Sequence, residues 1–572
     1  MIENLRYAAA SGLVQRAGHS ELGLATNTLR GNVYFSGLLR QPLPLREALG
    51  ALRGVVVSDL KFRPKDRPKF QAWLEEEDRR FLATLGIKSE HARQELERLN
   101  VSLDALNRIR EKRREAFHAA RLAYFRFVLE NEYEKFYILD PVITVHPDEV
   151  FFEAFSRDES SYARLGVSQD LFDDVGPFAC GTTNIDFSAS LAEGFDRLRA
   201  YRDTRFAIGP SGFAVATNTT TATNEDSEVH HEKKVDLPES WVRGFLQVQS
   251  AMSLSMPRFS LAPVDLYNIC RFLKSHRTRK SPRALRWELE PGKRVRAVLE
   301  PWGHVIELST IYDGTKAQSI RTWGRDRLKV LARLLPVAQR IDVHLAGTGL
   351  PSFYVLDLGG ISFTLALSGW TDNDWTGGAK FDLLTRRLTG TAAEVLTVYE
   401  ALRLRRFATD AELAEVTGFG IEKCRTTLSY LCQAGRAIYD LGKRVYRHRD
   451  LFFDPFTLQD AAAAVKPALE EKAPEAKAAK HIHEAEDVRV IARRPVTTGY
   501  KLSGSARGAS GPRVRPLLHV DYEGQIIEAS CTCAHFRSHG LTQGPCEHVL
   551  ALRLAHMERL AKEDSKGGLA PA

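Results

Sequence analysis

The chain is poor in cysteine and methionine, with seven and four among 572 residues, and it has no long apolar run. So few cysteines exclude a disulfide scaffold. No stretch of about 18 apolar residues occurs, so no transmembrane helix is expected. The opening MIENLRYAAASGLVQRAG lacks the apolar core of a signal peptide. Reduced thiols and a cytoplasmic location are the resulting expectation. Catalytic signatures are also missing: there is no Walker A pattern, no Gly-x-Ser-x-Gly elbow and no His-Glu-x-x-His. The expectation is a protein without catalytic machinery.

What is present is ordinary globular material, 44% apolar and 27% charged. At about 150 residues per domain, three or four domains are expected. Lys and Arg number 80 against 72 Asp and Glu, a net charge of +8. The distribution says more than the sum. Residues 271–296 hold ten basic residues against Glu288 and Glu290. This segment permits an anionic partner without demanding one, since basic strands often only face water.

The pattern predicts a multidomain α+β protein. Residues 1–137 read as mostly helical, with Leu96, Leu99, Leu103, Leu106 and Ile109 at helical spacing over 68–137 and a short strand at Val55–Leu60. Residues 140–385 read as an α+β domain. There, 206–208 and 213–216 flank a turn, strands fall at 285–289, 295–299, 304–308, 341–345, 352–357 and 361–367, and a helix spans 325–339. Residues 388–455 form a compact module. Residues 458–486 are rich in Ala, Lys, Glu and Pro and read as a spacer. Residues 487–561 form a last small domain, and 562–572 a tail.

The sharpest signal lies in that last domain. Cys531 and Cys533 are two residues apart, and Cys546 and His548 follow after a gap of twelve. Residues two apart in extended chain point the same way, so Cys531 and Cys533 can share one ion, while Cys546 and His548 open a helical stretch. Three thiolates and one imidazole favour a tetrahedral, structural Zn2+ with no position left for a catalytic water. His535 and His539, inside the gap, are alternative donors. The segment CTCAHFRSHGLTQGPCEHVLALRLAH resembles a SWIM-type zinc finger, whose pattern is Cys-x-Cys, a variable gap, then Cys-x-His. A hairpin of 517–522 and 525–528 leading into the first ligand, and a helix after the last, fit that resemblance. It implies Cys531, Cys533, Cys546 and His548 as ligands, and contacts with DNA or with proteins.

The second signal is in 391–450. Thr391 with Glu394 and Thr409 with Glu412 form two capping boxes, Gly418 can stop a second helix, and a third begins at Ile421. Residues 437–441 and 444–448 read as a hairpin around Gly442. Three helices and a basic hairpin resemble a winged helix-turn-helix domain. The resemblance implies that the third helix enters a major groove with Lys423, Arg425, Thr426, Ser429 and Tyr430, and that Lys443, Arg444, Arg447 and Arg449 of the wing meet phosphates. Such folds also serve as protein-interaction or purely structural units, and the segment holds ten basic against eight acidic residues.

Three functional expectations follow. The first is a zinc-binding adaptor contacting DNA, protein or both. The second is a partner of a MoxR-type AAA+ ATPase and von Willebrand A domain proteins, as bacterial SWIM proteins of similar layout imply. The third is a metal-dependent nuclease in 140–385, using Asp372 and Asp374 or Glu228 and Glu232. Cys180 has no visible partner in the sequence, and His481 and His483 fall in the spacer.

Overall fold

The structure is a computed structural model that describes residues 3–4, 11–16, 19–26, 33–60, 141–185, 191, 194–209, 236–237, 239–278 and 280, and then, with short gaps, 282–567. The chain divides into two compact units, residues 1–61 with 139–572 and residues 62–138. The second unit, and with it the helical pattern expected over 68–137, lies outside the described residues. So do the strand expected at 213–216, the Glu228–Lys234 run and Asp372.

The centre of the larger unit is an antiparallel sheet of eight strands. Their order is Arg258–Leu261, Arg340–Leu345, Ser352–Asp357, Ile361–Leu367, Ser161–Ser168, Glu149–Phe155, Val142–Val145 and Gly181–Asn184. Both faces are covered, and alternation along each strand assigns residues to them. Ile143, Phe152, Leu165, Phe363 and Leu365 belong to one core, which includes Leu45, Leu49, Leu52 and Val55 of the helix Pro42–Val56. Phe155, Tyr162, Phe353 and Val355 belong to a second, with Trp241 and Phe245 of the helix Glu239–Met252. A four-stranded sheet, His304–Ile311, Arg294–Leu299, Leu285–Leu289 and Gln318–Thr322, extends the first core through Trp287. Three of its strands are those expected from the sequence.

The N-terminal reading needs correction. Strands Gly12–Arg16, His19–Ala25 and Phe35–Leu39 occupy the start of the chain and share a five-stranded sheet with Asp203–Gly209, 164 or more residues further on. The first sixty residues are therefore not a mostly helical region separate from 140–385. Val55 ends a helix rather than opening a strand, because Leu45, Leu49, Leu52 and Val56 share its buried stripe. Over 325–339 only Arg325–Arg333 is helical, as a 3-10 helix.

The module after residue 388 forms as the capping signals require. The helix Ala392–Arg405 is capped by Thr391, Asp410–Thr417 by Thr409, and both capping boxes close. Gly418 ends the second helix in the left-handed conformation with φ of 72°. The third helix is Ile421–Gln433, and the hairpin pairs Ala437–Asp440 with Val445–His448. Cys424 and Cys432 are buried in the module's own core with Leu428 and Leu431.

The spacer is structured over part of its length. Leu458–Val465 and Pro474–Glu484 are helices. The second buries Ala476, Ala479 and Ile482 in a core shared with Val549 and Leu552. Alanine at i and i+3 beside one isoleucine is enough apolar surface to seat a short helix on a neighbour. The last domain is a sheet with central order Val488–Val496, Gly499–Arg507, Pro516–Val520 and Ile526–Cys531, packed on the helix Glu547–Gly567. Arg553 of that helix is buried and donates to the carbonyls of Leu383 (2.8 Å) and Thr385 (3.0 Å). The domain therefore shares a core with the central sheet and is not set apart from it by a semi-rigid spacer. Among the described residues, no helix is long and apolar enough to cross a membrane.

Candidate metal centre

The four expected ligands come together. One ligand atom each from Cys531, Cys533, Cys546 and His548 lies within 4.8 Å of all the others. Local structure accounts for each placement. Cys531 is the last residue of its strand, paired with Pro516. Cys533 is the N-cap of the helix Ala534–His539, its sulfur accepting from the Phe536 amide at 3.4 Å. Cys546 immediately precedes the helix Glu547–Gly567, and its carbonyl accepts from the Leu550 amide. His548 sits in that helix's first turn. Sulfur atoms at helix N-termini face amide dipoles, which stabilise thiolates.

The donor set fits a closed zinc site. Cys531, Cys546 and His548 are buried, and His548 Nδ1 has no hydrogen-bond partner, while Nε2 lies 3.5 Å from Glu547 Oε1. A buried unpaired imidazole nitrogen beside three sulfurs is costly unless an ion takes it. The thiols share protons: the Cys546 thiol bonds to Cys531 and lowers its pKa to about 6, while the same bond and then burial push Cys546 up. Burial lowers the pKa of His548, favouring the neutral, ligating form. His535 and His539 stand outside the four-residue cluster, with ring centroids 5.3 Å apart.

The nine candidate nucleic-acid contacts have a different fate. Arg447 and Arg449 are 0% and 1% exposed. Arg447 reaches Asp148 (2.8 Å), Asp440 (3.0 Å) and Glu149 (3.2 Å), and Lys443 reaches Asp148 (2.9 Å) and Glu149 (3.1 Å). Arg164, from the central sheet, pairs with Glu149 and with Asp440. Three carboxylates and three cations thus form one network between sheet and hairpin, in which Arg164, Arg447, Glu149 and Asp440 are buried and Lys443 is exposed. Arg449 lies 3.4 Å from Glu153 and over the Phe245 ring. The expectation that Arg447 and Arg449 face outward is therefore corrected: both are turned into the molecule by sheet carboxylates. Thr426 and Ser429 are buried as well, since they share the inner half of the third helix with Leu428 and Leu431. Lys423 pairs with Glu394 (2.7 Å), Arg425 with Asp410 (2.8 Å), and Tyr430 is half-buried. Arg444 is exposed at the hairpin tip.

The carboxylates of this network escaped the sequence reading. A usable signal existed: Glu149 and Glu153 sit at alternate positions of the apolar run EVFFEAF and share one face of its strand. Acidic residues inside a buried strand demand cations from elsewhere. One of the cations they meet, Arg164, lies on the neighbouring strand, and the others, Lys443, Arg447 and Arg449, come from the hairpin nearly 300 residues later.

Residues 519–556 match the family model of the SWIM zinc finger. With the Cys531, Cys533, Cys546 and His548 cluster, this identifies the C-terminal region as a SWIM domain holding a structural Zn2+. No curated protein matches the chain. Among solved structures, the proliferating cellular nuclear antigen from Entamoeba histolytica aligns at 9% identity over 40% of this chain and 89% of its own, with a TM-score of 0.28, too low to carry an argument.

Proposed function

We propose that the protein is a zinc-dependent, non-catalytic binding protein in which the SWIM domain contacts a macromolecular partner and the winged-helix-like module is mainly a structural support. One observation carries the division of labour. The wing cation Arg447 is already engaged by Asp148 and Glu149 inside the molecule, so it cannot also neutralise phosphates without breaking buried ion pairs, and exposed Lys443 is paired with Asp148 at the rim of that network. The outward face of the SWIM sheet is different. Arg489, Arg494, Lys501 and Arg507 are exposed there, beside a groove of about 360 Å3 lined in part by Lys501, Leu517, His519 and Glu528. This face suits an acidic partner. A protein partner is favoured, and a MoxR-type AAA+ ATPase or a von Willebrand A domain protein is the proposed class, on the SWIM resemblance.

DNA is the second reading, supported by those same four cations and by exposed Arg444. The test compares zinc-loaded full-length protein with a variant carrying Arg489→Glu, Arg494→Glu and Lys501→Glu. The expected outcome is a co-purifying protein that survives nuclease treatment and is lost from the variant at unchanged zinc content. Salt-steep binding to duplex DNA by anisotropy, also lost from the variant, would instead establish the DNA reading. A variant that retains every partner would overturn the assignment of this face. The proposal assigns no catalytic step. The nuclease alternative rests on Asp372, Asp374, Glu228 and Glu232, of which only Asp374 lies among the described residues.

A further inference from the structure

A second cavity lies where the edge of the central sheet meets the three-helix module. It measures about 300 Å3, and its lining includes Thr144, His146, Cys180, Arg403, Arg406 and Asp450. The cavity is polar and belongs neither to the zinc site nor to the buried ion-pair network.

Its chemistry is unusually specific. His146 is 1% exposed, and its Nε2 lies 2.7 Å from the His448 carbonyl oxygen. A carbonyl only accepts, so Nε2 carries the proton and Nδ1 presents a lone pair. That Nδ1 is buried and has no hydrogen-bond partner. Burial, and then the charge of Arg447, lower the His146 pKa to about 3, so the ring stays neutral and Nδ1 stays an acceptor. A buried acceptor without a donor costs free energy that a ligand hydroxyl would recover.

The cations are Arg403 and Arg406. Arg403 is exposed and pairs with Glu400. Arg406 caps the helix Ala392–Arg405 with φ of 69° and ψ of −43°, a strained conformation for any residue with a side chain. Its amide donates to Leu402 and its carbonyl accepts from His448, so the backbone is pinned where Arg406 lines the cavity. Glycine would be the cheaper residue at this position. The hydroxyls of Thr144 and Thr182 bond each other at 3.1 Å in the sheet wall. The Asp450 carboxylate pairs with Arg436 (3.3 Å), accepts from the Tyr399 hydroxyl (3.3 Å) and lies 3.2 Å from His448 Nε2 in the same wall.

We propose that this cavity binds a small phosphate anion that carries a hydroxyl proton: Arg406 and Arg403 take the charge, and His146 Nδ1 accepts the proton. Hydrogen phosphate supplies that proton itself, and a hydroxyl-bearing organic phosphate supplies it from its carbon skeleton. Sulfate has the same shape and charge and lacks the proton. The ligand would tie the central sheet to the three-helix module, since the wall draws on both.

Cys180 provides the readout. Of the seven cysteines, three are zinc ligands, Cys270, Cys424 and Cys432 are buried, and Cys180 is half-exposed in the cavity wall. The experiment follows N-ethylmaleimide labelling of Cys180 in zinc-loaded full-length protein at pH 8. The probes are inorganic phosphate, glycerol 3-phosphate and sulfate at matched ionic strength. Phosphate is expected to slow labelling saturably, and sulfate to need roughly tenfold more for the same protection, the cost of one unmade buried hydrogen bond. Stronger protection by glycerol 3-phosphate would assign an organic phosphate, and the reverse order free phosphate. In Arg406→Gly, protection should disappear while zinc content holds and the thermal midpoint stays level or rises, because glycine relieves the backbone. No protection by either phosphate, equal protection by sulfate, or full protection persisting in Arg406→Gly would overturn the proposal.

Discussion

The SWIM domain and the three-helix module are both small, and both announce themselves in the sequence, yet they are held by opposite means. The SWIM domain is organised by ligands within eighteen consecutive positions, Cys531 to His548. The module's hairpin is organised by Asp148, Glu149 and Arg164, which come from a sheet formed nearly 300 residues earlier. In the first, spacing and function coincide. In the second, the local motif fixes the fold of the segment, while distant carboxylates decide which of its cations are available to a partner.

The strongest way to break this contrast is to remove the metal. Structural zinc in finger peptides contributes about 10–16 kcal/mol of folding free energy. Chelation, or Cys531→Ser with Cys546→Ser, should therefore open the strands of 488–531 and the helix from Glu547 to fast hydrogen exchange. Metal analysis should fall from about one zinc per chain to none, and the module around Leu428 should stay protected. Zinc retained by the double variant would place the site elsewhere, and simultaneous loss of protection in both regions would show that they fold as one.

The converse experiment attacks the hairpin. Arg447→Met leaves Asp148, Glu149 and Asp440 with one cation fewer inside the molecule. Removing one partner of a buried ion pair typically costs about 3–5 kcal/mol. Denaturant unfolding should show that loss, with zinc content unchanged. A loss below about 1 kcal/mol, the range of exposed pairs, would mean that water reaches the network and that Arg447 is free to serve a partner.

These two regions also mark what the sequence could reveal. The four ligands, both threonine caps, the stop at Gly418 and the hairpin before Cys531 were all legible, because each depends on residues of one short chain segment, the longest being the eighteen positions from Cys531 to His548. The sheet of Gly12–Arg16, His19–Ala25 and Phe35–Leu39 was not, since its parallel partner Asp203–Gly209 is joined only through tertiary pairing. The alanine-rich spacer misled for a related reason. Composition alone says it cannot build a core, but Ala479 and Ile482 need only complete one that the helix of Leu552 has begun. The cavity of His146, Cys180, Arg406 and Asp450 was invisible for the same reason, since four separate chain segments meet there.

Acid sharpens the comparison at the junction itself. His146 is neutral when folded, its pKa about 3, and it takes a proton near pH 6.5 when unfolded. The unfolded chain thus binds more protons between these values, and stability falls as pH falls through that window. The slope is about 1.4 kcal/mol per pH unit, or roughly 2 kcal/mol between pH 6.5 and 5. Asp148 acts lower: burial raises its pKa, but Arg447 and Lys443 outweigh this and hold it at about 2, so its contribution persists to pH 4 and is lost on further acidification. Zinc release falls in the same range, so the informative quantity is the difference between wild type and His146→Gln. The variant should lose stability less steeply between pH 6.5 and 5, and an identical slope would show that His146 is protonated in the folded state.

The smallest effect tests one of the two exposed cations at the hairpin tip, the other being Lys443. Arg444 is exposed at the hairpin turn, with φ of 56°. Its amide donates to the Asp440 carbonyl at 2.7 Å, so the turn is held in this conformation by the backbone. A side chain in the left-handed region costs about 1 kcal/mol that glycine does not pay. Arg444→Gly should therefore stabilise the protein by about 0.5–1 kcal/mol in denaturant unfolding, where Arg447→Met destabilises it several-fold more. Opposite signs from two arginines three residues apart would separate a cation that the fold consumes from one that it strains to present. If Arg444→Gly instead destabilises, the Arg444 side chain is itself part of the packing rather than presented to a partner.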